Sequence, residues 1–116
     1  MKRALLYEPV AEQPRDAIER DLSSGDPERV SAALYSARYH DPDWRWVQDE
    51  CLKFLKHTDV RVRWTAATCL GDLAMFHKIL DLPRVLPELI EASKDESIRD
   101  PAETSISFIK QAVKPQ

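Results

Sequence analysis

The stretch LKFLKHTDVRVRWTAATCLGDLA, residues 52–74, holds the end of one helix, a short turn and the start of the next. Phe54 and Leu55 close one apolar stripe, and Asp59 offers an N-cap carboxylate. Val62, Ala66, Cys69, Leu70 and Leu73 then recur at three- and four-residue intervals, the spacing that gathers side chains on one helical face. A connector of a few residues makes the two helices antiparallel neighbours. One such hairpin cannot bury its own apolar face, so further hairpins are expected on either side.

The flanking sequence supplies them. Three Asp-Pro pairs, Asp26-Pro27, Asp41-Pro42 and Asp100-Pro101, each set a cap acceptor before a residue whose fixed φ suits the first helical turn. Glu103 stands three residues after Asp100, as in a capping box. Apolar spacing between these marks predicts helices near 27–39, 42–57, 60–76, 83–94 and 101–113, with a short one near 13–23. Val30, Val62 and Ile98 lie 32 and 36 residues apart, and each is followed four residues later by Leu34, Ala66 or Ala102. That interval is the period of helix-pair repeats. The expected fold is all-α: a short alpha-solenoid of antiparallel helix hairpins, with five to six helices in a single domain over residues 1–116.

Residues 52–74 resemble the HEAT repeat, with its apolar pair, aspartate, Val62-Arg63, Ala66-Ala67, Leu70-Gly71 and Leu73. LPELIEASKDESIRDPAE, residues 86–103, carries the same outline, and SGDPERVSAAL, residues 24–34, carries part of it with Ser31 in the arginine position. The resemblance implies an alpha-solenoid that binds other macromolecules, with the second helix of each hairpin lining the concave side. It also implies that Arg63 ties neighbouring repeats through an acidic residue, Asp59 or Asp95. Asp100-Pro101 departs from the pattern because it follows Ile98-Arg99, which places Ile98 in the preceding loop.

Composition narrows the function. Only two glycines leave little room for the tight turns of an all-β fold. Seventeen basic against 20 acidic side chains give a net charge of −3, which offers no general attraction for nucleic acid or anionic lipid. The apolar run from Ala4 is cut by Glu8 and Pro9, short of a signal or membrane segment. Cys51 and Cys69 form no CxxC pair, so reduced thiols in a cytoplasmic protein are the simplest account.

Chemical motifs are weak. His40, Asp41 and Asp43 can ligate metal, but Asp41 is explained as a cap and His57 and His77 are isolated, so no metal and no cofactor is expected. Both cysteines fall on apolar faces, and no nucleophile–base pair, P-loop or Rossmann glycine pattern is present. A non-enzyme is the expectation.

Aromatic residues carry more. On the third helix Trp44, Val47, Cys51, Phe54 and Leu55 form one stripe, so Trp44 belongs to the core. Arg45, Trp46, Asp49, Glu50, Lys53 and His57 face the opposite way. Trp64, beside small Ala67 and Gly71 on a central helix, is expected in the core, with Tyr35 and Tyr39 filling the analogous face of the preceding helix. Trp46 is then the outward anchor, unless Leu5, Leu6 or Tyr7 covers it. Trp46, Asp49, Glu50 and Lys53 on one helix and Glu88 and Glu91 on another form the candidate partner surface, read as acidic and suited to a basic protein. A small acidic chain of this kind looks like an immunity protein that neutralises a basic, nuclease-like toxin. An adaptor for a larger complex fits the same residues, and a HEAT-like nucleic-acid binder is the competing class.

Overall fold

The computed structural model describes residues 13–114. Six helices follow one another in this span: α1 Arg15–Leu22, α2 Pro27–His40, α3 Trp44–Phe54, α4 Val60–His77, α5 Leu82–Ala92 and α6 Arg99–Ala112. A 3-10 turn, Glu96–Ile98, leads into α6. The all-α solenoid expected from the sequence is the fold.

Local chemistry explains most boundaries. Asp26 caps α2 by accepting from the Glu28 amide, with Pro27 in the first turn, and Asp59 caps α4 through the Arg61 amide. Two of the three Asp-Pro starts differ from expectation. α3 starts at Trp44, capped by Asp43 through the Trp46 amide, while the Asp41 carboxylate accepts from the Asp43 amide and is also held by Arg15. α6 starts at Arg99, two residues before Pro101. Asp95 caps the 3-10 turn by accepting from the Ser97 amide, and helical geometry continues from there, so Asp100 lies inside the first turn and makes no capping box with Glu103. Ile98 sits in that turn and is buried, not in the loop that its place before Asp100-Pro101 suggests.

The helices form two rows. α2, α4 and α6 lie side by side; α1 packs under α2, α3 under α2 and α4, and α5 under α6. Ile18, Val30, Leu34, Val47, Val62, Leu70, Leu73, Leu89 and Ile109 fill the space between the rows, each nearly inaccessible to solvent. Full burial of such a side chain contributes about 1.5–3 kcal/mol. Polar ties join the hairpins. Arg38 on α2 pairs with Asp72 on α4 in a largely buried contact; burial lifts the Asp72 carboxyl above its usual range despite the Arg38 charge. Arg63 donates to the His57 and Thr58 carbonyls, both at 2.9 Å, and its Nε lies 3.5 Å from Asp95. Of the two expected acidic partners Asp95 is therefore the one used, and Asp59 binds Arg61.

At Gly71, α4 and α6 are in close contact. A Cβ built there would stand 2.4 Å from Ser105 Oγ and 2.9 Å from Ser105 Cα. The bare backbone lets the Ser105 hydroxyl enter α4, accepting from the Gly71 amide at 3.1 Å and donating to the Ala67 carbonyl at 2.6 Å.

Candidate partner-binding surfaces

On the lower row, α3 and α5 stand apart and leave an open groove of about 540 Å³. Asp49 and Lys53 line it from α3 and Glu88 from α5, together with Leu52, Lys56 and Arg84. Three of the six residues expected to form a partner surface are thus brought together; Trp46, Glu50 and Glu91 lie off the groove. The six residues do not make the acidic surface expected. Arg84 reaches Asp49 at 2.8 Å, Lys56 reaches Glu88 at 2.9 Å, Lys53 reaches Glu50 at 3.2 Å and Lys94 reaches Glu91 at 3.2 Å. Each carboxylate has a cation: Lys53 supplies one to Glu50 from the same helix, and the others come from an adjoining turn or the facing helix, where helical-face counting of one element at a time does not register them.

Trp46 is half-buried, packed against the core. The Arg15 guanidinium lies over it, 3.8 Å from the ring centroid, and bonds the Asp41 carboxylate through Nε at 2.7 Å and Nη2 at 3.0 Å. Burial pushes the Asp41 carboxyl up, and the Arg15 bond with the Asp43 amide more than offsets it, leaving the group below its ordinary value. The arrangement joins α1 to the start of α3. Trp46 is therefore a covered structural contact rather than the free anchor expected; Leu5, Leu6 and Tyr7, the cover considered from sequence, lie outside the described residues. Trp44 packs against the core only in part, with Arg45 4.8 Å above its ring.

The upper row gives the opposite surprise. Trp64, expected in the core, is 43% exposed. α2 and α6 cover the two flanks of α4 and α3 covers its underside, so the fourth side, carrying Val60, Trp64, Thr68 and Met75, meets solvent. Tyr39, expected beside Tyr35 in the core, is also exposed, and stacks on Phe76 with ring centroids 5.3 Å apart. Between α2 and α4 runs an apolar groove of about 470 Å³, lined by Pro27, Tyr35, Val60 and Trp64 among others, with Glu28 and Arg61 at its rim. On the far side of Trp64 a smaller groove between α4 and α6 is lined by Asp100, Thr104 and Phe108. A sequence signal existed: Val60, Trp64 and Thr68 are spaced by four and lie away from the Val62–Ala66–Leu70 face.

The remaining candidates do not assemble. Cys51 and Cys69 are wholly buried. The Cys51 thiol is pushed well up by its contact with Cys69 and by burial, which disfavours the thiolate a nucleophile needs. Among the described residues, no three His, Cys, Asp or Glu side chains come together to hold a metal ion. No described helix is long and apolar enough to cross a membrane.

Comparison with known proteins agrees with this architecture. Residues 47–77, from α3 through α4, match the HEAT repeat family model. The fold is a HEAT-like helical repeat. Among solved structures, a chain from the crystal structure of a CDI complex of Cupriavidus taiwanensis LMG 19424 superposes with a TM-score of 0.82 at 25% identity, over 94% of this chain and 98% of that one. No curated protein matches the chain.

Proposed function

We propose that this HEAT-like repeat is a non-catalytic, cytoplasmic protein-binding module of the immunity type, which neutralises a protein toxin by binding it. The observation that carries the reading is the superposition, over nearly the whole of both chains, on a chain of a CDI complex; the name denotes contact-dependent inhibition, a toxin–immunity system. Surface chemistry supports binding over catalysis. Both thiols are sealed in the core, and the exposed features are aromatic side chains and rows of charge, the materials of protein interfaces. A net charge of −3 favours a basic partner over nucleic acid.

The test is capture of the full chain from its native host, recovery of any polypeptide bound in equal amount, and inducible expression of that polypeptide with and without this chain. Growth arrest by the partner alone, relieved by co-expression, is the expected result. A partner that leaves growth unaffected, or a large multisubunit assembly in its place, refutes the immunity reading and favours an adaptor.

A further inference from the structure

We propose that the partner docks on the upper row, around Trp64, and presents there a segment with an apolar side chain next to an arginine. The proposal rests on the partner-binding reading above and names the surface that serves it.

The two faces differ in what they have left to offer. In the α3–α5 groove both lining carboxylates, Asp49 and Glu88, are already held by Arg84 and Lys56, so a basic partner would have to displace an existing cation at each one. Around Trp64 the reverse holds. Glu28 on one side and Asp100 on the other line the two grooves that Trp64 divides, and among the described residues neither makes an ion pair; Glu103, exposed one turn beyond Asp100, makes none among them either. The nearby cations are engaged elsewhere: Arg61 is bonded to Asp59 through Nε and Nη2, Arg29 to Asp21 and Arg38 to Asp72. Unpaired carboxylates on both sides of an exposed indole suit a guanidinium, which stacks on the indole face and bonds a carboxylate with the same planar group. The α2–α4 groove alongside, walled by Tyr35, Val60 and Pro27, accepts the apolar side chain. Its framework is rigid, since α4 is packed on three sides, and a preformed site keeps the ordering cost of association low.

Photo-crosslinking in the native host tests this with the full chain. p-Benzoylphenylalanine replaces Ala32 or Thr68 on the upper row, and Leu52 or Lys53 in the α3–α5 groove; circular dichroism verifies that each variant keeps its helicity. Crosslinks from Ala32 and Thr68 to a peptide of another protein with arginine or lysine near an apolar residue are expected. With that protein purified, Trp64→Ala should weaken binding at least ten-fold, and Glu28→Lys with Asp100→Lys should slow association at low salt, the difference vanishing at high salt. Crosslinks confined to Leu52 or Lys53, or to a second copy of this chain, overturn the docking surface. If the protein crosslinked at Ala32 and Thr68 has no effect on growth, the surface stands and the toxin reading falls. If crosslinks run from Lys53 to a growth-arresting protein, the toxin reading stands and this inference falls. No crosslink from any of the four positions overturns both.

Discussion

The Ser105 hydroxyl lies between the Gly71 amide and the Ala67 carbonyl, 3.1 Å from one and 2.6 Å from the other, so that a side chain of α6 is threaded into a turn of α4. The contact exists only because position 71 lacks a Cβ. Gly71→Ala should therefore destabilise the fold by about 1–2 kcal/mol net, since an overpacking cost in the upper part of the range of about 1–3 kcal/mol is offset only in part by the roughly 1 kcal/mol Ala gains in helix propensity. Chemical denaturation measures it; an unchanged midpoint would mean that α4 and α6 separate freely. Ser105→Ala should cost less, about 1 kcal/mol, since Gly71 and Ala67 are then left to pair with each other as in any helix.

Arg15, Trp46 and Asp41 link α1 to α3 through a ring contact and a two-pronged ion pair. Trp46→Ala should cost about 2–3 kcal/mol, most of it lost packing of a half-buried ring. Arg15→Ala should leave global stability within about 1 kcal/mol yet raise the accessibility of Trp46 to acrylamide. With Trp44 and Trp64 replaced by Phe, fluorescence quenching isolates that signal, and an unaltered quenching constant would show that Arg15 does not shield the ring.

Arg84 and Asp49 meet at the rim of the α3–α5 groove, both about half exposed. Exposed pairs of this kind contribute little, so Asp49→Asn should change stability by less than about 0.5 kcal/mol. A loss of several times that size would show that the pair braces α5 against α3.

Asp59 caps α4 and holds Arg61, and the Arg61 side-chain bond, aided by the Arg61 amide, lowers its carboxyl from 3.8 to about 2. A carboxyl with a depressed folded-state pKa binds its proton less readily when folded than when unfolded. Its stabilising effect is complete above 3.8 and is lost as pH falls toward about 2. Asp59→Asn keeps a cap acceptor but removes the charge, so its melting temperature should fall less steeply than that of the parent across this window. Parallel acid limbs would refute the Arg61 contribution.

Lys78 ends α4 in the left-handed region, at φ 61°. Glycine meets no Cβ penalty there, and Lys78→Gly should raise stability by about 0.5–1 kcal/mol. A loss instead would mean that the Lys78 side chain contributes more than its backbone costs.

Much of the fold was legible because its signals are local. Asp26-Pro27 and Asp59 act on amides two residues away, and the Val62–Ala66–Leu70 spacing needs only one helix to be understood. The candidate surface was legible in part. Asp49, Lys53 and Glu88 do share a groove, but the cations that neutralise Asp49 and Glu88 come from across it, Arg84 from α5 and Lys56 from the turn after α3, and pairing across a gap leaves no trace in either segment alone. Trp46 and Trp64 were exchanged for a similar reason. Arg15, 31 residues before Trp46, covers it, whereas Trp64 faces a side of α4 that no described helix occupies. An aromatic residue gives the same periodic signal whether the space beyond it is filled or open.

Arg63 grips two backbone carbonyls before the start of α4 and, through Asp95 and Ser97, the turn before α6. Like a cross-brace at one end of a roof, it sets the pitch between successive hairpins. Curvature in this chain is then a property written into a loop contact, and a substitution far from any binding surface can change which partner the surface fits by altering the angle at which its helices are presented.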